Sequence, residues 1–360
     1  MSKLPSTFVE EFHKESDVQK LSYVKLGDTD MFVSRLALGG GQFANGVKFD
    51  KHEGIVSGHD EVCETIVSAL KAGINYIDTA AFYGGGGSEI VLGQALKSVP
   101  REAYYLATKL GRRHTLDFDF SRDAVLKEFE RSLEKLGVDY VDVIQVHDIE
   151  FADDLDQIVN ETLPTLDELR QNGRVRHIGI TGYPLTTLKE LVERSETKID
   201  LVLSYCRETL FENELAQFSQ FFRDHQLGII NAAIHGMGLL TPHDIPQWHP
   251  VQNELKVACK KAVDYCSANK IDIGRLASGN ALQSIHCDTV LVGMNIRKVL
   301  QANLDVLING LTNDEWDAIE HIKSTFMRNI TQRNWEGVEV SKYFANKDAF
   351  RKSLEELFLP

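Results

Sequence analysis

Short apolar runs alternate along this chain with longer stretches whose apolar residues recur every three or four positions. SRLALGG precedes HDEVCETIVSALKAG, YIDTA precedes SEIVLGQALKSV, and YYLATKL precedes SRDAVLKEFERSLEKLG. Next come VDVIQVH with LDQIVNETLPTLDELRQNG, VRHIGITG with PLTTLKELVERS, and LVLSYC with NELAQFSQFFRDHQ. GIINAAI with two helical stretches over 252–285, and TVLVGM with IRKVLQANLDVL, complete eight units. Runs that are apolar throughout predict strands buried on both faces, and the periodic stretches predict helices that cover them. Eight such units predict an α/β chain closed into a (β/α)8 TIM barrel, with a doubly wound sheet as the competing arrangement.

Ahead of the first unit, SYVKLGDTDMFVSRL (22–36) places GDTD between two short apolar stretches and reads as a β-hairpin. The pattern therefore divides the chain into a polar leader (1–21), a barrel (22–325) and a C-terminal tail (326–360). The tail holds NWEGVEVSKYF and an amphipathic stretch, DAFRKSLEELF. It reads either as a segment packed on the barrel or as a loop that closes the pocket with Trp335.

Composition narrows the function classes. With 360 residues, 43% hydrophobic and 26% charged, the chain can bury a large core. A formal charge of −14 argues against nucleic acid and against an anionic membrane surface, both of which need clustered basic charge. Cys63, Cys206, Cys259, Cys266 and Cys287 are scattered without a CxxC, which fits a reducing, cytoplasmic setting. No stretch approaches the ~18 apolar residues of a membrane helix, and the N-terminus lacks the apolar run of a secretory signal.

Chemistry enters at the strand ends. Asp78 closes YID with Tyr83 five residues on, Lys109 follows YYLAT, and His147 follows DVIQV. Singly, these would read as a turn cap, a packed aromatic, a surface charge and a core histidine. Together, at the carboxyl ends of consecutive strands, they lie where a barrel carries its chemistry. A phenol titrates near pH 10 in water, so Tyr83 is expected to carry protons with its pKa lowered by Lys109. Asp78 would hold the lysine charged, and a neutral His147 would steer a substrate oxygen.

Other motifs are weaker. Gly39-Gly40-Gly41-Gln42-Phe43-Ala44 matches GxGxxA after a strand, but a polar loop follows instead of the helix that a Rossmann site requires. Gly84 to Gly87 lack the Lys-Ser/Thr of a P-loop, and a flexible turn near a helix start suffices. There is no HxH, HExxH or GxSxG, so neither a metal site nor a serine hydrolase is expected.

The stretch GINYIDTAAFYGGGGSEIVLGQAL (73–96), with ATK at 107–109 and VDVIQVHD at 141–148, strongly resembles the aldo-keto reductases. The similarity in spacing runs from about residue 22 to 310. That resemblance implies the (β/α)8 barrel, the tetrad Asp78, Tyr83, Lys109 and His147, and a nicotinamide dinucleotide bound without a Rossmann domain. YGGGGSE, HDIEF, GITGYPL, LSYC, MGLLT, PQWHP and VLVGM look most like the sugar-oxidising members, L-galactose and D-threo-aldose or arabinose 1-dehydrogenases. These oxidise the anomeric carbon of an aldose to a lactone, mainly with NAD.

The same resemblance distributes the cofactor roles. Thr181 stands for the usual serine that holds the carboxamide, and Ser204 for the glutamine after the sixth strand. Ala232 occupies the place of an aromatic that stacks on nicotinamide. Gly236, Met237, Gly238 and Leu239 are expected to meet the pyrophosphate, and Asn303 the adenine. Gly293 and Val299 replace the basic residues that grip a 2′-phosphate, which favours NAD, while Arg297 and Lys298 leave NADP open. Phe82, His114, Asp148 and Trp335 are candidate contacts for a small-molecule substrate. An NADPH-dependent aldehyde or ketone reductase is the first alternative, and a dinucleotide-binding sensor or subunit without turnover is the second.

Overall fold

A computed structural model describes residues 4–50, 54–246 and 248–358. The first three residues of the leader, the last two of the tail and Gln247 of the PQWHP motif lie outside the described residues. Eight parallel strands close into a barrel: β1 Leu36–Gly39, β2 Tyr76–Asp78, β3 Tyr105–Leu110, β4 Val141–Val146, β5 Val175–Gly182, β6 Leu201–Tyr205, β7 Gly228–Ala232 and β8 Thr289–Gly293. The closing pair joins β8 to β1, with Gly293 opposite Gly39. No edge is left in this sheet, which settles the choice against the doubly wound arrangement.

Strand alternation sorts the side chains into two cores. Outward residues such as Ile77, Leu106, Ile144, Ile178 and Val202 pack under the helical layer. Inward residues such as Ala37, Tyr76, Tyr105, Val143, Leu203 and Ile230 fill the barrel. The predicted hairpin is present as Tyr23–Lys25 paired with Phe32–Ser34. Its Leu26, Met31 and Val33 join the interior cluster and stopper the amino-terminal end of the barrel. Part of the leader docks there too, through Thr7 to Asn75 at 2.9 Å and Ser6 to Tyr105 at 2.9 Å.

The polar loop after β1 contains a second hairpin, Lys48–Asp50 with Gly54–Ser57, that the sequence pattern did not predict. It leans on the glycine turn after Tyr83. Gly84, Gly85 and Gly86 all have positive φ, where a side chain is strained. A Cβ on Gly84 would also lie 2.5 Å from Ala44, and one on Gly87 would lie 2.9 Å from the Phe49 ring. The glycine run is thus needed both for the turn and for the close approach of this hairpin.

The tail crosses the carboxyl-terminal mouth of the barrel. Asn334 reaches Glu212 at 3.4 Å and Glu336 reaches the buried Arg207 at 3.1 Å. The helix Val338–Ala345 then sets Tyr343 edge-on to Phe118 at 5.0 Å and Phe151 at 5.4 Å. The last helix, Lys347–Phe358, brings Phe350 and Leu354 against Ala80, Phe82 and Leu116, beside Tyr83. Among the described residues no helix is long and apolar enough to cross a membrane.

Candidate active site

The four strand-end residues converge. Asp78 ends β2 and Lys109 lies on β3, both pointing inward and both about 1% exposed. The Lys109 ammonium donates to Asp78 Oδ1, to the Thr79 carbonyl at 2.9 Å and to the Tyr83 hydroxyl at 3.2 Å. His147, one residue past β4, stands perpendicular to the Tyr83 ring with centroids 5.7 Å apart. Gln145, inward on β4 and opposite Lys109, donates to the other Asp78 oxygen at 2.6 Å. No sequence feature had singled out Gln145.

Electrostatics bears on the protonation of Lys109, His147 and Tyr83. Burial alone would lower the Lys109 ammonium, but Asp78 and Tyr83 outweigh it and raise it above its ordinary value, so it stays charged. Burial depresses His147 to about 3, so its ring is neutral at physiological pH. Tyr83 corrects the sequence expectation. Burial raises its phenol above the ordinary value, and Lys109 opposes that rise without cancelling it. The phenol therefore rests protonated, with the cation limiting how far it climbs.

Phe82 and Asp148 join this group. The Phe82 ring lies edge-on to Tyr83 at 6.2 Å and to His147 at 6.1 Å. Asp148 Oδ2 is 3.7 Å from His147 Nε2 and 2.6 Å from Arg112 Nη1. Burial would raise the Asp148 carboxyl, but its charged neighbours, Arg112 among them, hold it below its ordinary value. Glu339, from the tail, faces the same cluster; burial raises its carboxyl against the pull of Arg112.

Three expectations are corrected. Trp335 does not line the mouth: it is 1% exposed, stacked on Tyr183 at 5.1 Å and edge-on to His249 at 4.9 Å. It anchors the tail that closes the mouth. The His114 imidazole turns to Glu128 at 2.8 Å and Arg131 at 3.3 Å on the outer helix, away from the tetrad. Ser204 lies on the outer face of β6, because its neighbours Leu203 and Tyr205 belong to the inner face. Tyr205 is instead the group at the opening, directly opposite Ala232 on β7. An aromatic thus stands beside Ala232 from the neighbouring strand.

The remaining positions suit a dinucleotide. Thr181 Oγ1 is inward and accepts the Asp148 amide at 3.0 Å, so its own hydroxyl proton is left to donate. Gly236, Met237 and Gly238 have φ of 61°, 53° and 107° in a tight turn, the kind of backbone that directs N–H groups at an anion. His249 holds that turn through the Gly236 carbonyl at 3.0 Å. Gly293 is exposed at the mouth, and a Cβ there would meet nothing nearer than Gln42 at 3.6 Å. Asn303 is buried, receives Ser278 at 2.6 Å and donates to Val299 at 2.9 Å. Arg297 pairs with Glu64 at 2.8 Å.

Comparison with known proteins agrees with this architecture. The aldo/keto reductase family profile matches residues 35–324. The chain is 40% identical over 288 residues to L-galactose dehydrogenase of Arabidopsis thaliana, covering 79% of this chain and 88% of that one. It is 32% identical over 291 residues to D-arabinose 1-dehydrogenase of Saccharomyces cerevisiae, covering 76% and 86%. D-threo-aldose 1-dehydrogenase of a Pseudomonas species is 28% identical over 263 residues, covering 65% and 79%. A solved aldo-keto reductase from Bacillus halodurans superposes with a TM-score of 0.63 at 24% identity, over 84% of this chain and 96% of that one, which supports the fold. The chain belongs to the aldo/keto reductase family and is an NAD(P)-dependent oxidoreductase.

Proposed function

We propose that this protein oxidises the C1 hydroxyl of an aldose to the lactone level, with Asp78, Tyr83, Lys109 and His147 as its catalytic group. The observation that carries this reading is the Lys109 ammonium in hydrogen-bond contact with both Asp78 and Tyr83, beside a neutral His147. The sugar dehydrogenases among its relatives support the substrate class. The chemistry a nicotinamide dinucleotide would supply here when bound is hydride transfer in either direction. Thr181 would hold its carboxamide, Tyr205 with Ala232 would pack on its ring, and the Gly236–Leu239 turn would hold its phosphates. Gly293 and Asn303 would border the adenosine half.

In oxidation Tyr83 acts as the phenolate, which the adjacent Lys109 ammonium stabilises before the transfer, and it becomes the neutral phenol on taking the hydroxyl proton from the sugar. His147 donates one N–H to the same substrate oxygen and fixes its position. Asp78 keeps Lys109 charged. In the reverse direction Tyr83 delivers its proton to a carbonyl. NAD is favoured over NADP: Glu64 already holds Arg297, and no side chain stands on Gly293 to grip a 2′-phosphate. The five free cysteines support a cytoplasmic location.

Tyr83→Phe tests the assignment. Turnover of L-galactose, L-fucose or D-arabinose should fall by ~10² or more while NADH affinity, read by fluorescence titration, persists. Unchanged turnover refutes the role of the phenol. Tighter binding of NADP⁺ than of NAD⁺ with preferred reduction of aldehydes would favour the reductase alternative. Dinucleotide binding without turnover of any sugar or aldehyde would favour the sensor.

A further inference from the structure

The side chain that organises the wall beside His147 is Arg112, which neither the sequence pattern nor the tetrad accounts for. Its guanidinium lies 3.7 Å from the centre of the Phe82 ring, 5.3 Å from Phe118 and 5.8 Å from Phe151. Three aromatic faces and an ion pair to Asp148 at 2.6 Å leave it little freedom. The side chain is 14% exposed, and its Nε is buried without a hydrogen-bond partner among the described residues. A buried guanidinium with an unsatisfied donor is costly unless something else completes it. Asp148 is itself held in the left-handed region at φ 52°, a conformation that aspartate adopts only at some expense.

Position gives this pair a function. The hydroxyl that reacts must sit between Tyr83 and His147, and Asp148 Oδ2 is 3.7 Å from His147 Nε2. In an aldose the C2 hydroxyl is vicinal to C1, with its oxygen about one hydrogen-bond length from the reacting oxygen. The group that meets the reacting oxygen and the group that meets its neighbour must therefore stand side by side, as His147 and the Arg112–Asp148 pair do. The pair offers both hydrogen-bonding senses, a carboxylate that accepts and a guanidinium that donates.

We propose that Arg112 and Asp148 form the subsite that reads the C2 hydroxyl of the sugar and so determine specificity for aldoses over simple alcohols and aldehydes. This rests on the aldose-oxidising reading given above. A site built to hydrogen-bond a hydroxyl rejects the analogue that lacks it, because its buried polar groups are then left unpaired.

The test compares an aldose that the wild type turns over, L-galactose or D-arabinose, with the 2-deoxy sugar of the same configuration. The wild type should favour the aldose by ~10² or more in kcat/KM. Arg112→Met should lower kcat/KM for the aldose by about 10²-fold and for the 2-deoxy sugar by less than about threefold, with NADH affinity unchanged by fluorescence. Arg112→Lys, which keeps the charge and loses the planar fork, should fall between. Equal losses on the two sugars, or a wild type indifferent to the C2 hydroxyl, would overturn this subsite alone; indifference can be read even if the variants fold poorly. A wild type inert on every aldose would overturn the subsite together with the functional reading beneath it.

Discussion

Gln145 donates to the one carboxylate oxygen of Asp78 that Lys109 leaves free, at 2.6 Å and with no solvent exposure. Asp78 is therefore clamped on both oxygens and can present a single geometry to the lysine. Gln145→Leu leaves a buried acceptor unsatisfied, at a cost of about 1–3 kcal/mol. The expected result is a lower melting temperature, a fall in kcat larger than any rise in KM, and a displaced pH profile. Gln145→Glu, which puts two carboxyls in contact, should be worse than Gln145→Leu at neutral pH.

The pH dependence follows from three groups. Because burial depresses His147 to about 3, the imidazole stays neutral from pH 5 to 8 and should add no inflection there. Because burial raises Tyr83, the fraction of phenolate grows with pH only on the alkaline side, so sugar oxidation should climb with pH and carbonyl reduction should decline. Lys109→Met removes the cation that limits the rise of the phenol. Its alkaline limb should move to higher pH, and the unpaired Asp78 should cost about 3–5 kcal/mol in a urea melt. An unchanged limb would mean that Lys109 does not govern Tyr83.

The tail invites a truncation. Ending the chain after Gly337 removes Tyr343, Phe350 and Leu354 from Phe82, Phe118 and Phe151. The barrel ladder loses no hydrogen bond, so the melting temperature should change little. KM for the sugar should rise by roughly tenfold or more as the pocket loses its cover, while NADH affinity changes less. A truncated protein with wild-type KM would show that these helices do not bound the sugar site.

All eight strand and helix units were legible because buried strands and amphipathic helices have different periods. The hairpin at Lys48–Asp50 and Gly54–Ser57 was not, since three or four residues of alternation look like a polar loop. The cluster of Asp78, Tyr83, Lys109 and His147 was legible because Asp78 and Lys109 lie at the carboxyl ends of their strands and Tyr83 and His147 in the turns beyond. Its companions were missed for a physical reason: sequence says that Gln145 and Arg112 lie near strand ends but not which side chains they meet across the barrel. Ser204 failed on parity, because moving by one residue along a strand changes the face. Tyr205, the aromatic opposite Ala232, belongs to β6, a neighbour relation across a ladder pair that no linear pattern records.

Tyr83, Lys109, Asp78 and His147 hang from the hydrogen-bonded cylinder, whereas the cover over them comes from a segment joined to it by side chains. The proposed proton-handling group, with the Arg112–Asp148 pair beside it, and the cover above them thus belong to separable parts of the molecule. Exchanging the last two helices for others would reshape the outer part of the pocket while the groups beneath keep their alignment.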